Sequence, residues 1–505
     1  MANDRSSVSV WLVGIFIFCG AAAGMLILGL ASYLAVEKRA ETATVFNNRK
    51  VEITGIEPQN AIWGTNYPRE YRTWAKSADM SPQSLYMGGA PLDRLRSRPF
   101  MAVFWAGSTY AMDYQAPRGH FFSVEDIRKT LRTGNPGVDG GQDIETASCW
   151  TCKSTDVPRI IKELGADGFY GSPWSGMGDQ VVNPVGCAVC HDPATMELAI
   201  SLPPLKEAFQ RAGKDVTRAS LQEKRGLVCA QCHVEFFLQE DGSRVTLPWD
   251  GGNWGNGPAE LKEVTAEQIE KYYDDMGHYD FINPVSGTPV LKAHHPDWEL
   301  FSLGDHGRNG LTCADCHMPY VSEGGIKYSN HQLRSPLSDI STTCGTCHRD
   351  SAGELGSRVF ERVKKVEELS ERLEAALLRA HVMARAAMDA GADDGQLAEA
   401  RKLIRAAQWR WDYIESSHGG GFHAPLECLR LLGLGIDQAL RAQLALQAVL
   451  IGLDAPPVEL PDISTLEKAQ AWLGLDMTAV RTSKASFEQT VVPRWLLDAR
   501  EAGRI

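Results

Sequence analysis

Five short stretches of this 505-residue chain place two cysteines three positions apart. Four continue directly into histidine: Cys187, Cys190 and His191; Cys229, Cys232 and His233; Cys313, Cys316 and His317; Cys344, Cys347 and His348. C-x-x-C-H is the attachment signature of c-type haem, in which the thiols bond the porphyrin edge and the histidine reaches the iron from one face. Paired zinc knuckles would not put histidine immediately after the second cysteine four times running. The first stretch in the chain, Cys149-Trp150-Thr151-Cys152-Lys153, keeps the thiols but has lysine in place of histidine. Taken alone it could be a disulfide beside a surface lysine. In the company of four haem motifs it reads as a fifth haem with an amine ligand, and as the place where chemistry happens.

Each low-spin c-type haem takes a second axial ligand, commonly His or Met. Of 13 histidines, four lie in the motifs, leaving His120, His278, His294, His295, His306, His331, His381, His418 and His423. That supplies four distal ligands with five to spare, and spacing does not choose among them. The lysine-ligated iron then has either a sixth protein ligand, making it a relay, or an open face, making it a catalyst. Lysine ligates only as the neutral amine, so its protonation must be suppressed by burial and by the metal's charge. A carrier that only passes electrons has no need of such a ligand. Four ordinary sites beside one unusual site therefore point to an enzyme.

The net charge of −12 and the lack of a dense basic cluster exclude nucleic acid as a partner. Ten of the 12 cysteines belong to the motifs; Cys19 and Cys428 lie in apolar surroundings and read as small hydrophobes, so no structural disulfide is expected. Val8 to Val36 contains no charged residue. The stretch is long enough to cross a bilayer and longer than the core of a usual cleaved signal, which favours an uncleaved anchor over 1–36. Flanking charges do not settle its orientation. Covalent haem attachment does, placing the body on the periplasmic or extracytoplasmic face.

Residues 37–56 read as a polar tether, and 57–350 as a pentahaem region with little sheet, organised by haems rather than by strand ladders. Ser123 to Gly134 reads as a short helix, with Ser123 as N-cap and Gly134 as the stop, leaving Arg132 in the last turn. Trp249 to Pro258 is rich in Gly and Asn and reads as loop. From 351 to 505 the chain turns helical. Val359, Val363, Val366, Leu373, Leu377, Ala380, Ala384 and Ala387 mark a long amphipathic helix ending near Gly391. Further helices are expected over 396–417, 425–449, 464–473 and 484–501. The first helix suits self-association or an ordinary core-facing role. The fold class is mainly α, a multihaem cytochrome c.

These motifs, in this order, resemble the pentahaem, ammonia-forming cytochrome c nitrite reductases. The resemblance spans roughly residues 60–500. It extends beyond haem attachment to Pro117-Arg118-Gly119-His120, Leu131-Arg132-Thr133-Gly134, His233-Val234-Glu235, Leu291-Lys292-Ala293-His294-His295-Pro296, Ala407 to Asp412 and His423-Ala424-Pro425. It implies Lys153 as proximal ligand of the active haem. It implies His331, His120, His423 and His306 as distal ligands of the second, third, fourth and fifth haems, in that order. Arg132 and His295 would line the open face, Arg132 as a cation for the small nitrite anion and His295 as proton donor. It further implies a homodimer built on residues 354–417 and a quinol-oxidising membrane multihaem cytochrome as electron donor.

Two positions depart from the family pattern. Phe236 stands where the family has a tyrosine whose hydroxyl faces the substrate. His294 stands where many members have Gln, whose oxygen binds calcium together with the Glu235 carboxylate and the carbonyls of Phe236 and Lys292. Calcium prefers oxygen ligands, so its presence stays open at this point. The expected activity is six-electron reduction of nitrite to ammonium, with hydroxylamine, nitric oxide or sulfite as other substrates of such an open iron. The competing class is a non-catalytic electron-transfer cytochrome, for which the loss of the tyrosine hydroxyl is the one supporting feature; weakened rather than abolished turnover is expected, because Arg132 and His295 remain.

Overall fold

The structure is a computed structural model that describes residues 5–46, 49–81, 83–84, 87–88, 90–136, 145–239, 243–249 and 264–505. Apart from Trp249, the Gly- and Asn-rich run to Pro258 lies outside the described residues. The chain divides into two compact units, Met1–Glu52 and Ile53–Ile505. The first is a helix, Arg5–Phe46, that takes in the first ten residues of the expected tether. Within it, Trp11–Ala35 is long and apolar enough to cross a membrane, with mean hydropathy 2.4.

The second unit is mainly helical, as expected. Its described sheet consists of two-stranded antiparallel hairpins such as Phe281–Asn283 with Thr288–Val290 and Tyr320–Glu323 with Ile326–Ser329. Ser351 caps the long helix Ala352–Asp389 through a reciprocal pairing with Glu354. Val366, Leu373, Leu377, Ala380, Ala384 and Ala387 form its buried stripe, while Val359 and Val363 are half-buried. Two further helices, Asp394–Glu415 and Pro425–Gly452, pack against it. Gly435 permits the close approach, since a Cβ there would lie 2.7 Å from Leu373 Cδ2. The last helices are Leu466–Trp472 and Met477–Glu501, the latter starting earlier than expected. No two cysteines form a disulfide; Cys428 is fully buried among the helices and Cys19 is exposed on the N-terminal helix.

One expectation needs correcting. The 123–134 segment is not a single helix capped by Ser123. The helix covers Ser123–Lys129, with Phe122 before it. The Ser123 hydroxyl turns away to donate to the carbonyls of His120 (2.8 Å) and Lys153 (2.7 Å). A separate 3-10 turn, Leu131–Thr133, follows, and Gly134 closes it at φ +63°, ψ −151°, a conformation that costs glycine little. Arg132 therefore sits on its own tight turn rather than serving as a dipole partner at a helix end.

Candidate haem and active site

Each attachment motif is one turn of helix, the shape its spacing dictates. Residues three apart share a face, so the two thiols point the same way and the residue after the second cysteine falls beside them. The amides of His191, His233 and His348 donate to the carbonyls of Cys187, Cys229 and Cys344, each at 2.9 Å. Cys313–His317 forms a short helix. In the first motif Cys149 lies on the 3-10 turn Ala147–Trp150, and the Lys153 amide donates to the Trp150 carbonyl at 2.9 Å. Trp150 anchors this turn. It stacks on Trp174 at 4.8 Å and 7° and donates to the Trp174 carbonyl at 3.0 Å.

The four motif histidines each face one of the histidines expected as distal ligands. Ring centres are 6.3 Å apart for His191 and His331, 6.4 Å for His233 and His120, 6.4 Å for His317 and His423, and 6.1 Å for His348 and His306. Two imidazoles on opposite faces of one metal, each bonded at about 2 Å, hold their ring centres about 6 Å apart. Second contacts also suit ligation. Nδ1 of His191, His331 and His317 meets a backbone carbonyl, of Met196 (2.9 Å), Ser329 (2.8 Å) and Arg334 (3.2 Å). That bond selects the tautomer with Nε2 free to bind metal. His423 Nδ1 is buried with no hydrogen-bond partner among the described residues, an orphan that a bound group would answer. The residues fit haem.

The motifs also adjoin one another in a definite order. The third meets its neighbours: Gln231 Nε2 donates to the Val189 carbonyl of the second at 3.2 Å, the helix Leu221–Ala230 that carries Cys229 packs on Cys313–His317 of the fourth, and Cys232 lies within electrostatic reach of Cys152 of the first. The helix Cys313–His317 of the fourth also packs on Ile340–Thr343, the turn that leads into the fifth.

Around the first motif the structure gathers the expected active-site residues. Arg132 lies within electrostatic reach of Cys149 and packs its guanidinium over Tyr110, 4.6 Å from the ring centre. Its Nε donates to Thr130 Oγ1 at 3.2 Å. The turn that carries it is gripped from both sides. Asp113 accepts from Thr130 Oγ1 (2.8 Å) and the Leu131 amide (2.9 Å). The buried Lys484 ammonium, on the last helix, donates to Thr133 Oγ1 (2.8 Å) and the Gly134 carbonyl (3.0 Å). Burial pulls the Lys484 pKa down to about 8. Sequence reasoning had no access to this clamp, because Lys484 is 351 residues from Thr133.

His295 is half-buried, with Nδ1 3.1 Å from the Cys232 carbonyl and Nε2 2.8 Å from His418 Nδ1 and 3.0 Å from Asp297 Oδ2. Burial, with His233 nearby, lowers its pKa; Asp297 works in the opposite direction. Asp297 and His418 were not singled out from sequence. The position of Asp297, two residues after His295, was the signal available.

The two departures from the family pattern touch each other. Phe236 stacks on His294 with ring centres 4.2 Å apart and planes at 28°. Glu235 is fully buried. One of its oxygens accepts from the Tyr273 hydroxyl (3.1 Å), the other from the His294 amide (2.7 Å). His294 Nδ1 lies 3.7 Å from that carboxylate. Burial opposes a charge on this imidazole, but Glu235 outweighs it and raises the pKa. Lys292 sends its ammonium to Asp412 at 2.7 Å. Each Glu235 oxygen takes one protein donor and keeps a lone pair, but a nitrogen stands where calcium would take oxygen. This donor set does not fit calcium.

The model of the family described as Cytochrome c552 matches residues 59–503. The chain belongs to the cytochrome c552 family. It is a haem cytochrome, and the resemblance read from its motifs holds. The cytochrome c-552 of Parabacteroides distasonis is 48% identical over 506 residues, covering 100% of this chain and 99% of that protein. That of Desulfotalea psychrophila is 38% identical over 512 residues, covering 99% and 96%. Among solved structures, the catalytic subunit of the cytochrome c nitrite reductase of Desulfovibrio desulfuricans, a protein with two calcium sites, superposes with TM-score 0.72 at 27% identity. The superposition covers 85% of this chain and 91% of that one.

Proposed function

We propose that this member of the family reduces nitrite to ammonium at a c-type haem held by Cys149, Cys152 and Lys153, fed by four bis-histidine haems on the other motifs. The contrast among motifs carries the reading. Four motif histidines each face a second imidazole at 6.1–6.4 Å. The motif with Lys153 instead adjoins Arg132 and lies within electrostatic reach of His295.

When bound, the haem supplies the iron that holds substrate and takes electrons. The chain's residues do the rest. Arg132 offers a fork of donors to a small anion inside a protein of net charge −12, and Thr130, Asp113 and Lys484 keep that fork from swinging. Nitrite, six electrons and eight protons give ammonium and two waters. His295 is placed to pass protons, with Asp297 and His418 behind it. Phe236 keeps the shape of an aromatic wall but brings no hydroxyl. The packing of the fifth, fourth and third motifs, the Gln231–Val189 bond from third to second and the electrostatic reach of Cys232 to Cys152 support an electron route from the fifth through the fourth and third to the first, with the second branching from the third.

In this reading residues 57–350 form the pentahaem catalytic region and 351–505 the helical region, with 354–417 as the homodimer face. Trp11–Ala35 anchors the body at the extracytoplasmic side of the membrane, near a quinol-oxidising multihaem cytochrome as donor.

The test is ammonium formed per nitrite consumed by purified holoprotein with a strong artificial reductant. One ammonium per nitrite supports the reading. Fully loaded, reducible haems that form no ammonium would leave a reductase of another small substrate or an electron carrier. The substitution at Phe236 favours the latter. Spectra decide between these, since a carrier shows only six-coordinate, low-spin haem.

A further inference from the structure

The hydrogen bonds behind the motif histidines are not alike. His191 and His317 turn Nδ1 to backbone carbonyls, of Met196 and Arg334. His233 instead turns Nδ1 to a carboxylate, Asp297 Oδ2, at 3.2 Å. Asp297 is 7% exposed and held on both oxygens. Its Oδ1 accepts from Ser417 Oγ (2.8 Å) and the His418 amide (2.9 Å), while Oδ2 also meets His295 Nε2 at 3.0 Å. The next residue adds to the grip, since the Trp298 amide donates to the His233 carbonyl at 3.0 Å. The acceptor behind His233 is thus a carboxylate whose other oxygen takes two donors, where those behind His191 and His317 are neutral backbone carbonyls.

We propose that Asp297 is a positioning residue that tunes the third haem, making it more reducing than a carbonyl acceptor would, and that with the same oxygen it aligns His295 at the neighbouring active haem. The inference rests on the reading of His233 as an iron ligand. An anionic acceptor on Nδ1 makes the imidazole a stronger donor through Nε2, which stabilises the oxidised iron over the reduced one. The placement gives this a purpose. The third motif bonds the second through Gln231 and Val189, packs on the fourth and lies within electrostatic reach of the first, so electrons bound for the Lys153 haem pass through it. A lower potential at that hub favours their onward transfer.

The experiment is a spectroscopic potentiometric titration of the holoprotein carrying Asp297→Asn, which keeps the shape and an acceptor oxygen but removes the charge. One haem is expected to become easier to reduce by roughly tenfold in its equilibrium constant, about 59 mV for a one-electron couple, while the others stay in place. Asp297→Glu should recover most of the shift. Ser417→Ala removes a bond to the other oxygen without touching His233 and should leave all potentials unchanged, which separates tuning from general loosening. Unchanged potentials in Asp297→Asn, or an equal shift of every haem, would overturn the proposal. If that protein still makes ammonium from nitrite, the proposed function stands without it. If His233→Ala leaves the third haem six-coordinate, the ligand assignment fails instead.

Discussion

Replacing Lys292 with methionine tests whether the segment bearing His294 and His295 is held by a buried ion pair. The Lys292 side chain is 3% exposed and that of Asp412 is fully buried, with Nζ and Oδ1 at 2.7 Å. Nζ also donates to Ser416 Oγ at 2.8 Å and to the Ala293 carbonyl. Breaking a buried pair from one side costs about 3–5 kcal/mol, because the remaining charge is left uncompensated. Here Asp412 keeps two neutral donors, Trp105 Nε1 at 2.9 Å and Ser416 Oγ at 3.0 Å. The loss should therefore fall at the low end, about 3 kcal/mol. Adding Asp412→Asn removes the stranded charge; its amide oxygen can still accept from Trp105 Nε1, and its NH2 can donate to Ser416 Oγ. The double variant should recover about 1–2 kcal/mol, within the usual range for coupled neighbours. The assay is guanidinium unfolding of haem-loaded protein followed by far-ultraviolet circular dichroism, read as a change in midpoint at constant slope. A Lys292→Met protein as stable as the parent would refute the argument. So would a double variant no better than the single one.

Phe236→Tyr should raise nitrite turnover by restoring a hydroxyl beside His294, and an unchanged rate would remove Phe236 from the account of activity. Arg132→Gln trades charged for neutral donors, each charged bond carrying about 1.5–3 kcal/mol, so kcat/KM for nitrite should fall by about ten- to a hundredfold; a smaller effect means the anion is held elsewhere. Burial, reinforced by Glu235, raises the Glu299 carboxyl to about 8, above its unfolded value. Between the unfolded pKa and about 8 the folded state alone holds that proton, so the contribution is complete at low pH and is lost as pH rises, by about 1.4 kcal/mol per unit. Glu299→Gln should flatten this part of the stability profile; an identical profile would mean Glu299 is ionised throughout. Metal analysis of purified protein should find no stoichiometric calcium, and His294→Gln, which returns an oxygen ligand, should acquire it; one calcium per parent chain would contradict the reading of the Glu235 site.

The haem motifs were legible because their geometry is local. Two thiols and an imidazole within five residues need only one turn of helix to point together, and the chain makes that turn at Cys187, Cys229, Cys313 and Cys344. The C-terminal helices were legible for a similar reason: the buried stripe from Val366 to Ala387 repeats with the helical period, whatever it packs against. Ser123 misled because a serine before an apolar run is as good a signal for a cap as for a hydroxyl that ties a neighbouring carbonyl, of His120, to a distant one, of Lys153.

What the order of residues could not decide is which distant groups meet. Nine histidines were free to serve as distal ligands, and only family resemblance chose among them. The fold brings His331 to His191 and His423 to His317 across more than a hundred residues. Likewise the clamp of Lys484 on the Arg132 turn and the convergence of Asp297, His418 and His295 on His233 depend on chain segments packing side by side. Ligand type and local spacing are written along the chain, because covalent neighbours set them. The carboxylate behind His233 and the rigidity of the Arg132 turn arise only when remote side chains are buried together, where low polarity makes each contact count.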